Sequence, residues 1–230
     1  MAHERLSSRS SKVNEVRTDE EQVEALKAWW KDNGKSLVIM IVVALAAVYG
    51  FKAWQQQGVE NSENASALYQ QLVDVVVPSA DANQEENLAT SKHLAKTLRD
   101  EYTDTQYAKL GALLMAKVAV NEGDLKVAEQ ELDWLLSVAK KPLLLSIANI
   151  RKSQILAQQG KFPAALELLT KVTLVSLKAQ SSELEGDIYL AQGDKDKARS
   201  AYEKAVSLQS VGSRNPVLTM KLNDLTAEEG

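Results

Sequence analysis

The sequence predicts an all-α chain, with one transmembrane helix near the N-terminus and a tandem array of helix hairpins after it. Three observations carry that prediction. Leu37–Phe51 (LVIMIVVALAAVYGF) is an uncharged apolar run. The rest is rich in Ala, Leu, Lys, Glu and Gln, with 4 prolines and 10 glycines in 230 residues, a helical composition. Gly123, Gly160 and Gly193 recur about 37 and then about 33 residues apart, inside a repeated pattern of small and apolar positions.

Residues 1–17 are polar and Ser-rich (RLSSRSSK), a composition too poor in apolar side chains to hold a fixed structure. Thr18-Asp19-Glu20-Glu21 then fits a capping box, with Thr18 as N-cap and Glu21 at the third helical position. The helix it opens places Val23, Leu26 and Trp30 on one side, with Trp29 alongside, and Asp32-Asn33-Gly34 predicts a break. The simplest reading is a short amphipathic helix lying in the headgroup layer. A docking helix for a membrane partner is the sharper alternative.

With Ser36, Lys52 and Ala53, the apolar run makes a helix about 27 Å long, close to the ~30 Å hydrocarbon thickness. Lys35 and Lys52 can snorkel from its ends, and Trp29, Trp30 and Trp54 stand where interfacial indoles collect. Arg5, Arg9, Lys12, Arg17, Lys27, Lys31 and Lys35 precede the run, whereas no Lys or Arg occurs from Ala53 through Ser91. The positive-inside rule therefore predicts a cytosolic N-terminus and an exported remainder. Two other readings compete. Ala44-Leu45-Ala46 resembles a signal-peptide cleavage site, but the preceding segment is long and acidic and the apolar run continues beyond it. A buried core helix would need a large surrounding core, which the remaining sequence is not built to supply. The run is read as a single-pass anchor.

After Trp54 the chain stays helical and polar (QQQGVENSENAS) before Ala67, Leu68, Leu72 and Val75, a stalk leading into a first helix pair. Pro78 to Asn83 reads as a loop, Leu88 to Arg99 as a helix and Tyr102–Thr105 as a turn. The repeat follows. Each of Gly123, Gly160 and Gly193 ends an apolar helix, its freedom to take a left-handed conformation closing the turn. Seven residues before them stand the small residues Ala116, Ser153 and Gly186, and four before them Ala119, Leu156 and Tyr189. After the turn come Ala128, Ala165 and Ala198, then Leu132, Leu169 and Tyr202, then Leu135, Val172 and Ala205. Small residues let two antiparallel helices approach, and the larger ones fill the space toward the next hairpin. Asn215-Pro216 through Leu225 predicts a last helix that caps the array, with Val217, Met220, Leu222 and Leu225 available for packing. The resulting organisation is a cytosolic segment over 1–35, a transmembrane helix over 36–54, a stalk and first helix pair over 55–104, and repeats with their capping helix over 105–230.

Composition argues against several classes. About 170 residues follow the anchor, enough for one domain. Cysteine is absent, which excludes disulfides, lipoprotein acylation and thiolate metal sites. Acids outnumber bases in the exported part and no basic stripe is visible, so nucleic acid is not an expected partner. The two histidines, His3 and His93, suit neither a nucleophilic triad nor a zinc site, and the solitary glycines form no phosphate loop, so no cofactor is expected. Glu183, Glu185 and Asp187 form an acidic cluster, either a solvated face or a recognition site for a basic partner segment. Lys195, Lys197 and Arg199 read as exposed charges on the following helix.

The hairpin holding Gly186, Tyr189, Gly193, Ala198, Tyr202 and Ala205 closely resembles a tetratricopeptide repeat, and the other two are degenerate versions of it. The whole layout resembles the ancillary SecYEG translocon subunit family of Gram-negative bacteria. The residues that carry this are Glu20–Lys35 (EEQVEALKAWWKDNGK), the anchor directly after it, Gly193–Val206 (GDKDKARSAYEKAV) and Met220–Leu225 (MKLNDL). The resemblance spans roughly residues 18–226.

It implies an inner-membrane protein with a periplasmic tetratricopeptide-like α-solenoid. The implied role is non-enzymatic: a chaperone or adaptor beside the SecYEG translocon that receives unfolded or nascent envelope proteins. Those clients would pass to periplasmic chaperones, including the membrane-anchored prolyl-isomerase-like chaperone that accompanies the family. A scaffold for an outer-membrane or cell-wall assembly is the alternative reading. Carried over by repeat register, the groove of such a fold falls on Leu110, Leu113 and Lys117, then Ile147, Ile150 and Gln154, then Glu183, Asp187 and Leu190. Each of these either lines a peptide groove or packs against the next hairpin.

Overall fold

Gly123, Gly160 and Gly193 each adopt a positive φ, of 78°, 72° and 80°, and each closes a helix hairpin. After every one of them the next residue's amide reaches back to a carbonyl of the helix just ended: Asp124 to Ala119 (2.8 Å), Lys161 to Leu156 (2.8 Å) and Asp194 to Tyr189 (2.9 Å). These bonds satisfy carbonyls that the helix ends would otherwise leave bare. Asp124 and Asp194 then cap the second helix, accepting from Val127 N and Lys197 N through their carboxylates.

The computed structural model describes residues 19–77, 84–209 and 215–227. Its elements are α1 (Asp19–Val76), α2 (Gln84–Glu101), α3 (Gln106–Asn121), α4 (Leu125–Val138), α5 (Pro142–Gln158), α6 (Phe162–Thr170), a 3₁₀ turn at Val175–Leu177, α7 (Lys178–Ala191), α8 (Lys195–Ser207) and α9 (Pro216–Ala227). No strand occurs among the described residues. The Ser-rich segment 1–17, the Thr18 cap and the predicted loop over 78–83 lie outside them.

The chain divides into two compact units, Met1–Gly58 and Val59–Gly230. In the first, the apolar stretch of α1 is wholly unburied, and α1 is the one described helix long and apolar enough to cross a membrane. The predicted break at Asp32-Asn33-Gly34 is not there: the helix runs straight through. A glycine inside a helix costs only about 1 kcal/mol relative to alanine, and flanking helix formers outweigh it. Asn33 bonds its amide to Trp29 O (3.1 Å), and the Trp30 indole covers Gly34.

In the second unit each layer of the array has its own small core. Ala65 and Leu72 of α1 share one with Leu94 and Leu98 of α2 and with Ala108 and Met115 of α3. Thr105 caps α3, accepting from Ala108 N at 3.2 Å. Ala116, Ala119, Ala128, Leu132 and Leu135 meet Ala148 and Ile155 of α5 in the next cluster. Ile150, Leu156, Ala165, Leu169, Val172, Leu184 and Ile188 form the third. Ala198, Tyr202 and Ala205 meet Leu218 and Leu225 of α9 in the last.

The small-residue positions act as the pattern predicts. Ala116 and Gly186 are buried, and Ser153 bonds its hydroxyl across the hairpin to Ala165 O at 2.9 Å. The capping helix packs through Leu218, Leu222 and Leu225; Val217 and Met220, expected in that interface, are exposed. Spacings of four and three keep the first three on one stripe.

Candidate functional site

The first helix of each hairpin turns the same face inward, and together these faces line a groove in the second unit. Leu110, Leu113, Leu114, Lys117 and Val120 come from α3, spaced to share a helix face. Ile147, Arg151, Gln154 and Gln158 come from α5, and Leu184, Asp187, Ile188 and Ala191 from α7. Tyr69 of α1 and Phe162 of α6 add aromatic walls. The groove encloses about 820 Å³, within the usual range of ligand-binding clefts. Its floor is aliphatic, and among its polar groups Arg151 donates to Gln154 Oε1 at 3.2 Å.

Six of the nine residues expected in a groove line it: Leu110, Leu113, Lys117, Ile147, Gln154 and Asp187. The other three lie elsewhere. Ile150 is 2% exposed and belongs to the third core cluster. Glu183 is turned toward α9, and Leu190 is exposed outside the lining. The residues that sequence reasoning missed include Leu114, Arg151 and Leu184. They form the register column one position beyond Leu113, Ile150 and Glu183. Stepping four residues rather than three from Leu110 and Ile147 would have found Leu114 and Arg151.

The acidic cluster is neither a simple solvated face nor a site awaiting an outside cation. Lys221 on α9 reaches back to it, with Nζ 3.0 Å from Glu183 Oε1 and 2.7 and 3.0 Å from the Asp187 oxygens. The Tyr202 hydroxyl donates to Asp187 Oδ1 at 2.7 Å, and the Lys221 ammonium lies 5.7 Å from the centroid of the same ring. Asn215 donates to Glu183 at 3.4 Å, and Lys204 pairs with Glu185 at 3.4 Å. Lys197 pairs with Asp194 at 2.6 Å. On α2 and α4, Arg99 meets Glu131 at 3.2 Å. Burial raises the Glu131 carboxyl above the usual range, and the Arg99 charge only partly opposes this.

Two groups of the C-terminal cluster hold their protons more tightly than free side chains do. Burial, then the hydrogen bond to Asp187, pushes the Tyr202 phenol well above its ordinary 10.0. Partial burial pulls the Lys221 ammonium down, but its bonds to Asp187 and Glu183 outweigh that and raise it above 10.5. A raised folded pKa gives stability that is complete below the unfolded value and lost as pH rises through the folded one. The melting temperature of the C-terminal hairpin is therefore expected to fall as pH climbs above 10.0–10.5. Lys221→Met should lower it at neutral pH and flatten the alkaline fall, as followed by thermal melting with circular dichroism across the pH range.

His93 is exposed on α2, and no group of three His, Asp or Glu side chains among the described residues is placed to hold a metal.

A family description, tetratricopeptide repeat-like domain, matches residues 27–227. An ancillary SecYEG translocon subunit from Haemophilus influenzae is 31% identical over 209 residues, covering 90% of this chain and 97% of that protein. The chain belongs to this family. A second ancillary SecYEG translocon subunit, from Aggregatibacter actinomycetemcomitans, is 30% identical over 208 residues with the same coverage. A solved structure of an RS-1 ArsTM double mutant of MamA matches 74% of this chain and 85% of its own, with a TM-score of 0.51 and 19% identity, a likeness of fold. This ancillary-subunit chain thus carries the family's tetratricopeptide-like array, with a membrane-spanning candidate helix before it.

Proposed function

We propose that the chain works beside the SecYEG translocon as a membrane-anchored, non-enzymatic adaptor that holds apolar segments of exported polypeptides. The observation that carries this is the aliphatic groove shared by α3, α5 and α7, a surface suited to an extended or helical peptide. The name of the relatives supports the location, and the basic N-terminal flank of the anchor supports a cytosolic N-terminus with the array in the periplasm. Tethering gives even a weak groove an effective concentration in the millimolar range at a nearby exit. Held segments would then pass to soluble or membrane-anchored chaperones, the prolyl-isomerase-like one among them.

The test is photo-crosslinking from a probe beside the groove, in the full chain, during export of an outer-membrane protein. Many different exported polypeptides should be labelled. Leu110→Asp with Ile147→Asp should cut that labelling about tenfold, since each places a charge where an apolar side chain would sit. Neither residue belongs to a core cluster, so thermal melting should change little. Unchanged labelling by the folded double variant removes the groove from the reading. Labelling of one or two fixed proteins alone replaces it with a scaffold.

A further inference from the structure

We propose that the groove selects apolar segments flanked by an acidic residue, and that Lys117 and Arg151 recognise the acid. This rests on the groove reading above and adds the charge the groove prefers. The lining holds two cations, Lys117 and Arg151, and one acid, Asp187. Asp187 is already engaged: Lys221 lies 2.7 Å from Oδ1 and the Tyr202 hydroxyl donates to the same oxygen. The two cations are not engaged in that way.

Arg151 donates to the neutral amide oxygen of Gln154 at 3.2 Å, and Lys117 and Arg151 form no ion pair with any described carboxylate. The neighbouring Lys152 points the other way, pairing with Glu129 and Asp133. The chain as a whole has a net charge of −4, so the positive lip is local to the groove. Both cationic side chains are exposed and stand on adjacent first helices, α3 and α5, at the edge of an aliphatic floor. Their alkyl stems can cover that floor while their heads remain in water, and apolar walls focus the field of the heads into the cleft.

A polypeptide suits this better than an acyl chain. Gln154 and Gln158 stand between the apolar positions and carry amide groups that a peptide backbone can bond and a hydrocarbon cannot. The charge preference then acts on neighbours of the bound apolar residues.

The experiment uses the full chain in phosphatidylcholine nanodiscs and fluorescein-labelled Leu/Phe-rich peptides that differ only in flank: aspartates, serines or lysines. At low salt the aspartate peptide should bind about fivefold tighter than the serine peptide, with the lysine peptide weaker again. That order should collapse in Lys117→Gln with Arg151→Gln, and shrink as salt rises toward ~1 M. Equal binding of all three peptides, abolished by Leu110→Gln with Ile147→Gln, overturns the charge preference and leaves the groove reading standing. So does an order that survives in the Lys117/Arg151 variant. No binding of any peptide overturns both. Palmitate binding to the groove with no peptide binding assigns it to an acyl chain and overturns both as well.

Discussion

Gly186→Ala is expected to destabilise the C-terminal hairpin by about 1–3 kcal/mol, although alanine is the better helix former. A Cβ at this position would lie 2.4 Å from both Cδ1 and Cε1 of Tyr202 and 3.0 Å from Cζ, far inside van der Waals contact. The ring has nowhere to retreat. It is fully buried among Ala198, Ala205 and Leu218, and its hydroxyl is fixed to Asp187. Alanine gains about 1 kcal/mol in intrinsic helix preference, and overpacking exceeds that gain.

The other hairpins supply the rescue. They place Ala116 with Leu132 and Ser153 with Leu169 at the corresponding positions, so a small side chain is tolerated where the partner is leucine. Tyr202→Leu alone should also be destabilising, because it opens space against Gly186 and leaves Asp187 without its phenol partner. Gly186→Ala combined with Tyr202→Leu should recover about 1–3 kcal/mol relative to the sum of the single variants. Hydrogen exchange on α7 and α8 in the full chain is the suitable measurement, because repeat arrays need not unfold in one step. Strict additivity would mean that the two residues do not press on each other.

Most of the array was legible in the sequence, because each hairpin repeats one local problem. The pattern assigned Tyr202 to the space toward the next hairpin, whereas its ring also lies against Gly186 of its own. A left-handed glycine, a small residue before it and an apolar residue after it are visible without tertiary information. Tertiary pairing was harder to see. Lys221 is 34 residues from Asp187 and 38 from Glu183, and only the fold shows that the capping helix carries it back to them. The capping stripe was misread for a related reason: Val217 and Met220 are as apolar as Leu218 and Leu222, so composition could not choose the face. At Asp32-Asn33-Gly34 the helix continued because the local signal for a break was weaker than the helical preference on either side.

Ile150 and Ile147 mark where groove reading by register fails, and charging each should give opposite phenotypes. Both are isoleucines on α5, one turn apart, but α5 packs against α4, α6 and α7, so most of its circumference is covered. Ile150 lies in that covered part with Leu156, Leu169 and Ile188, while Ile147 opens to the groove. Ile150→Asp removes about 2–3 kcal/mol of apolar burial and also forces a carboxyl among aliphatic side chains that cannot bond it. A loss of about 4 kcal/mol or more is expected in the array, enough to abolish folding of a marginal domain.

The buried carboxyl would keep its proton, so its folded pKa would rise above the unfolded ~3.9. Stability of this variant should then recover as pH falls from neutral toward about 4, and be lost again as pH rises through the folded value. Ile147→Asp should show neither the destabilisation nor the acid rescue, because its carboxyl meets solvent at the groove. It should instead lose peptide labelling at neutral pH. A folded, acid-insensitive Ile150→Asp protein would place that side chain in the groove after all, and with it the register column carried over from the repeat.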